Sequence, residues 1–204
     1  MILAQPEIRA FVEAGAIRFD PPLNEEQWGA ASVDLRLGTQ FTKLHAAHGV
    51  KVSPHGGLSQ LGMFWQTMDL PPHNAFGQLN SCCLDPGDFI LAMTHERITL
   101  SNDLIALVEG RSTYARLGLS MHLTAPWIQP GWSGHIVLEI KNHGPLRIEL
   151  TPLLDRPCQL TFLQLTSNLP QRLAYGARIG DAYANQTHPL KTTPPLAAEY
   201  SLRS

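Results

Sequence analysis

The sequence predicts a mainly β protein with one amphipathic helix at its N-terminus. Short apolar runs recur between residues 32 and 166, each closed by Gly, Pro, Asn or Asp, which is the pattern of strands joined by turns. Only residues 6–15 carry a helical period. No strand alternates with a long helical segment, so the spacing points to a sandwich or barrel rather than to βαβ units. The chain has 204 residues, 44% of them apolar and 16% charged, which suits one soluble domain that buries a core without disulfide or metal staples.

In chain order, Pro6 suits the opening of a helix and Gly15 its stop. Ile8, Phe11 and Val12 fall at i, i+3 and i+4 and make one apolar stripe. Pro21 and Pro22 end that pattern. Ser32–Leu37 alternates and stops at Gly38. Residues 45–80 are rich in His, Gly and Pro and read as a loop-rich insertion with room for a short hairpin. Asp85-Pro86-Gly87-Asp88 is a turn signal. Strands are expected at 89–94, 97–100, 104–109, 119–124, 135–141, 146–150 and 158–166. Residues 1–169 thus form a β domain, and 170–204, carrying Gly, Pro and Thr, form a C-terminal segment and tail.

Fifteen basic and 17 acidic side chains give a net charge of −2. That balance argues against a sequence-independent nucleic-acid binder, which needs a cationic surface. It leaves room for a small anion, for which a few local arginines suffice. Cys82, Cys83 and Cys158 are odd in number and form no CxxC pair, so free thiols in a reducing compartment are expected. The N-terminus lacks a signal-peptide pattern and no stretch is apolar enough to span a membrane. A cytoplasmic location is expected.

Two segments carry chemistry. In GRSTYARLGL, residues 110–119, Ser112 or Thr113 is placed to cap a short helix that stops near Gly118. Ser112 and Arg116 share a helical face. Hydroxyls, helix-start N–H groups and a guanidinium make an anion site; a capped surface helix with solvated arginines fits the same spacing. In TAPWIQPGWSGHIVLEIK, residues 124–141, Ile136, Leu138 and Ile140 point to one face of a strand and His135, Val137 and Glu139 to the other. A carboxylate set among such aliphatic neighbours either pairs with a cation or has its pKa raised by desolvation. In the second case it can serve as a general base; a strand-edge Glu in an ordinary ion pair is the alternative.

Together these segments resemble the dCTP deaminases of the dCTP deaminase/dUTPase superfamily, which read G-R-S-S-x-A-R-L-G-L and then I-D-P-G-[FW]-S-G-x-I-x-L-E. ASVDLRLG at 31–38, LDPGDFILAMT at 84–94, and Tyr175 with the run Tyr183-Ala184-Asn185-Gln186 are similar to further family motifs. The resemblance spans nearly the whole chain apart from 45–80 and the last dozen or so residues. It implies a distorted β-barrel or jelly roll of the dUTPase type and a homotrimer with its sites between subunits. It also implies hydrolysis of dCTP to dUTP and ammonia. In that scheme Glu139 takes the proton from the attacking water, Ser112 and the carbonyl of Ala125 hold that water, and Arg116 positions the network around the base. Arg111, Ser112, Thr113 and Arg116 line the nucleotide, and the backbone of Val137 and Leu138 reads the pyrimidine edge. Tyr175 and Gln186 close over sugar and phosphates, and Mg²⁺ accompanies the triphosphate.

A zinc deaminase would need H-x-E and a later P-C-x-x-C. Pro157-Cys158 is followed by Gln-Leu-Thr, and His45, His48, His55 and His73 have no zinc-ligand partners at recognised spacing. A metal-free carboxylate mechanism is therefore expected. Two positions depart from the family. Gln129 stands where Asp is usual; it can bond a 3′-hydroxyl but is no general base, which counts against dUTPase activity. Ala182 stands where a phosphate-binding Lys is usual, and only Arg178 or Lys191 is at hand to replace it. Trp127 is placed to reshape the pocket floor. Three functions stay open: a working dCTP deaminase, a catalytically idle nucleotide-binding relative with a regulatory role, and a deaminase of a different cytosine nucleotide.

Overall fold

The N-terminal stripe becomes helix α1, Gln5–Glu13, which buries Ile8 fully and packs Phe11 and Val12 against the core. Gly15 follows at φ +75°, the left-handed conformation that glycine adopts without a Cβ penalty. The computed structural model describes residues 1–44, 51, 64–178, 181 and 183–190. His45, His48, His55, Ala182 and Lys191 lie outside the described residues, as do most of 45–63 and all of 191–204.

Twelve strands follow from the described residues: β1 (Ile17–Asp20), β2 (Val33–Leu35), β3 (Leu37–Leu44), β4 (Trp65–Asp69), β5 (Cys82–Leu84), β6 (Phe89–Leu100), β7 (Leu104–Gly110), β8 (Leu119–Ser120), β9 (Trp127–Ile128), β10 (Ser133–Asn142), β11 (Ile148–Leu150) and β12 (Cys158–Gln164). A short helix α2, Ser112–Ala115, lies between β7 and β8. The largest sheet runs β4-β3-β6-β10-β8, with β1 paired to the far end of β6. A second sheet runs β2-β12-β7-β9, and β11 pairs with β5. All pairs are antiparallel. The expected class, mainly β with an N-terminal helix, is what the chain adopts; its described strands form three sheets rather than one closed hydrogen-bonded barrel.

One apolar cluster unites the two larger sheets. Ile136, Leu138 and Ile140 of β10 face the same core as Leu104 and Ala106 of β7 and Leu160 and Phe162 of β12. Alternation alone dictates this, since side chains on a strand point to opposite faces in turn.

Some boundaries differ from expectation. The strands expected at 89–94 and 97–100 are one continuous β6. What separates them is a break in register: β10 slips between His135 and Val137, and β3 between Leu37 and Phe41. Such bulges bend a strand without ending it. The buried Glu96 inside the break accepts hydrogen bonds from Arg36 Nε at 2.7 Å and Gln27 Nε2 at 2.9 Å. The strand expected at 119–124 ends at Ser120, and that at 146–150 begins at Ile148. Strands β1, β3, β5 and β9 were not expected. In the described part of 45–80, β4 pairs with β3 of the preceding segment, and His73 and Leu79 form an isolated antiparallel bridge.

Candidate active site

Glu139 projects from β10 on the face opposite Leu138, into a cavity of about 480 Å³. Phe89 and Leu91 of β6, Val108 of β7, Trp127 and Ile128 of β9, and Val137 form walls of the same cavity. Its size falls within the usual range for small-ligand sites. Glu139 finds a backbone partner rather than a cation: its Oε2 accepts the Leu123 N–H at 3.0 Å. Its own N–H donates to Met121 O at 3.0 Å. The segment 121–123 therefore clasps the carboxylate and fixes one of its oxygens. Glu139 is the one carboxylate among the described residues that line this cavity.

Ala125 and Gln129 also line it, on either side of β9. Tyr175 and Gln186 reach it from the C-terminal segment. The Tyr175 ring packs on Trp132 with centroids 5.1 Å apart, and its hydroxyl accepts the Tyr183 N–H at 3.1 Å. Burial raises the Tyr175 phenol above its ordinary range, which keeps it neutral. Gln186 is only 4% exposed, and its Nε2 donates to His188 O at 3.1 Å and Pro189 O at 3.4 Å. Leu138 has a fully buried side chain in the core, so it can meet a ligand only through its backbone.

The other expected set lies elsewhere. Arg111, Ser112, Thr113 and Arg116 do not line this cavity. Neither Ser112 nor Thr113 caps α2; Arg111 occupies the cap position and no side chain bonds there. The hydroxyls fall inside the first turn, one residue too late to accept the free N–H groups. Arg116 N–H bonds to Ser112 O at 3.0 Å, as the four-residue spacing requires. Ser112, Thr113 and Arg116 are exposed.

Arg111 is already engaged, with Nε 3.0 Å from Asp34 Oδ2 and Nη1 donating to Arg156 O at 3.0 Å. Burial pushes the Asp34 carboxyl up, and the charges of Arg111 and Arg156 oppose that. Tyr114 anchors α2 by donating to Asp155 Oδ1 at 2.7 Å. Gly118 ends the segment at φ +95°, where a Cβ would stand 2.5 Å from Gly144 N. Arg178, a candidate cation for phosphates, is paired with Asp181 at 2.8 Å.

Several cavity residues escaped the sequence reading, two of them polar or aromatic groups able to meet a ligand. His122 stands 3.3 Å from Glu109 Oε2 through Nε2, and Trp65 enters from β4. His122 lies within the 121–123 clasp on Glu139, a long-range contact that left no local signal. Trp65 sits in the segment without resemblance and offered none. Trp127 does face the cavity, as anticipated, and is 53% exposed at its rim.

Comparison with known proteins identifies the family and the fold. A family model described as dCTP deaminase-like matches residues 2–165. The chain is 37% identical over 189 residues to the dUMP-forming dCTP deaminase of Methanosphaera stadtmanae, covering 92% of this chain and 91% of that protein. It is 37% identical over 203 residues to the dCTP deaminase of Thermomicrobium roseum, covering 99% of this chain and 97% of that one. Among solved structures, the 2′-deoxycytidine 5′-triphosphate deaminase of Agrobacterium tumefaciens superposes with a TM-score of 0.58 at 24% identity, over 79% of this chain and 47% of that longer one. That superposition speaks for the fold.

Proposed function

The chain belongs to the dCTP deaminase-like family, and on that premise we propose that it hydrolyses the 4-amino group of dCTP, releasing ammonia and dUTP for pyrimidine deoxynucleotide synthesis. The observation that carries this is Glu139, a cavity carboxylate with one oxygen fixed by Leu123 N–H. Its second oxygen can take a proton from water as that water attacks C4. The carboxyl passes that proton to ring N3, and as the tetrahedral carbon collapses to the C4 carbonyl the hydroxyl proton moves through the same carboxylate to the amine, so the C4–N4 bond breaks with release of ammonia. Ser112, the Ala125 carbonyl and Arg116 would hold the water and the base. Arg111 and Thr113 would hold phosphates, and the Val137–Leu138 backbone the pyrimidine edge.

Gln129 supports dUTP rather than dUMP as the product, because a neutral amide at the cavity wall cannot activate a second water. Mg²⁺ would travel on the triphosphate, whose oxygens supply its ligands; Glu139 is the cavity's single carboxylate and is engaged by Leu123. A zinc role for Cys158 is disfavoured because the thiol is fully buried in β12 and burial pushes its pKa up, away from the thiolate that binds metal.

A homotrimer fits two observations. Residues 111–116 lie off the cavity, and Trp127 on its wall and Leu123 next to Glu139 are 53% and 49% exposed, as a surface covered by another copy would be. No described helix is long and apolar enough to cross a membrane, and we place the protein in the cytoplasm with its thiols reduced. Gln129 and the engaged Arg111 favour, as a second reading, a nucleotide-binding relative or a deaminase of another cytosine nucleotide. Ammonia release from dCTP with Mg²⁺ tests the proposal. Silence with dCTP, dCMP and CTP would sink the enzymatic reading.

A further inference from the structure

Residues 183–190 supply Tyr183, Gln186 and Pro189 to the cavity wall and are pinned to the start of β10. Asn185 N–H donates to Ser133 O at 2.9 Å, and His135 N–H to Gln186 O at 3.2 Å. Arg97 Nη2 donates to Asn185 Oδ1 at 3.1 Å. The next residue, Thr187, closes a second cavity of about 150 Å³ whose walls include Gln40, His95 and His135. This cavity sits at the register break shared by β3, β6 and β10.

Two imidazoles share this cavity. His135 Nδ1 lies 3.0 Å from Thr94 O; a carbonyl only accepts, so Nδ1 carries the hydrogen it donates. Burial, the nearby Arg36 and then His135 hold His95 below the ordinary value of 6.5, with Glu96 opposing. Two cations and two carboxylates surround the pair. Arg36 comes from the link between β2 and β3, and Arg97 lies opposite His135 across β6 and β10. Glu96 is turned to the core and bonded by Arg36 and Gln27. Asp20 of β1 faces Arg97 in register and is exposed. Residues 183–190 bring His188 and no acid. Among the described residues, no acidic one lines the small cavity.

We propose that His95, which shares this cavity with His135, acts as a pH-sensitive latch beneath residues 183–190. With its ring neutral the segment stays seated; protonating it places a positive charge beside Arg36 under Thr187 and unseats it. The latch would make closure over the large cavity, and with it nucleotide retention, weaken in acid.

Hydrogen exchange of the full chain without nucleotide tests this, and so does not depend on which nucleotide the chain takes. Peptides covering 183–190 and 133–137 are compared at about pH 7.5 and about pH 5.5, spanning the imidazole range. Rates are corrected for chemical exchange and referenced to a β12 peptide. Their protection should fall several-fold in acid, because a ring whose pKa is lower when the segment is seated loses that stabilisation as the pH drops through the imidazole range. His95→Gln should flatten that fall while β12 stays protected, and His95→Asn should do the same where the first variant folds poorly. Equal protection at both pH values, or an undiminished fall in variants that keep β12 protected, overturns the latch. Loss of deamination with the latch intact would instead count against the catalytic reading alone.

Discussion

Glu139→Gln separates proton transfer from every other role of the site. The substitution keeps the side chain's shape and keeps an oxygen to accept the Leu123 N–H, now at 3.0 Å. The amide should turn its oxygen toward Leu123, because the reverse orientation sets donor against donor and forfeits this hydrogen bond, about 0.5–1.5 kcal/mol. Held that way, the amide presents its NH₂ where the carboxylate would have taken a proton. General base catalysis contributes about 10²–10⁴-fold, so kcat should fall by that factor, about 3–5 kcal/mol of barrier. Cavity shape is unchanged, so nucleotide affinity should stay within about threefold, since no attractive contact to the ground state is designed away. Continuous ammonia release gives kcat, and titration calorimetry with dCTP and Mg²⁺ gives affinity. A variant that keeps more than about a tenth of wild-type kcat would refute a base role for Glu139.

Other outcomes follow from the same geometry. Product analysis should show dUTP without pyrophosphate from the wild type; pyrophosphate there would remove the argument from Gln129, while Gln129→Asp is the variant expected to gain it. Zinc-selective chelators should leave turnover unchanged, and a chelator-sensitive enzyme would refute the metal-free scheme. Light scattering should give the mass of three chains. Gly118→Ala should lower stability by more than about 2 kcal/mol in urea titration, since the left-handed backbone alone costs about 1–2 kcal/mol and the new Cβ would meet Gly144 N at 2.5 Å; an unchanged midpoint would show that the 118–144 approach relaxes freely.

Much of the fold was legible because period-two alternation fixes faces before any tertiary contact is known. Ile136, Leu138 and Ile140 had to share the core, and Glu139 had to leave it, as they do. Helix α1 was legible from its stripe for the same kind of reason. Strands β1, β5 and β9 were not, because segments of four residues or fewer owe their pairing to neighbours and not to their own pattern. The continuity of β6 was hidden by His95 and Glu96, which read as a polar break. Only the structure shows that Arg36 and Gln27 satisfy the buried Glu96. The expected caps on α2 failed because Tyr114, through Asp155, sets where that helix starts, and such a long-range anchor leaves no local trace. Trp65 reached the cavity through the pairing of β4 with β3, which no spacing in residues 45–80 announces.

The separation of Glu139 from Arg111–Arg116 narrows how the two motifs can act together. Within one chain the 111–116 segment could reach the cavity only by releasing the Arg111–Asp34 pair, 3.0 Å long. That would strand a carboxylate which burial already disfavours in its charged form, at a cost on the order of 1–3 kcal/mol, and would also pull Tyr114 from Asp155. Delivery by a second copy needs neither loss, since Ser112, Thr113 and Arg116 are exposed on their own subunit and the cavity rim is exposed on the other. We therefore propose assembly as the lower-energy way to bring the two motifs together. The two routes part under dilution: assembly predicts that turnover per chain falls as the oligomer dissociates, whereas rearrangement within one chain predicts constant turnover. They part again in Asp34→Asn, which frees Arg111 and should raise activity only if leaving Asp34 is the barrier.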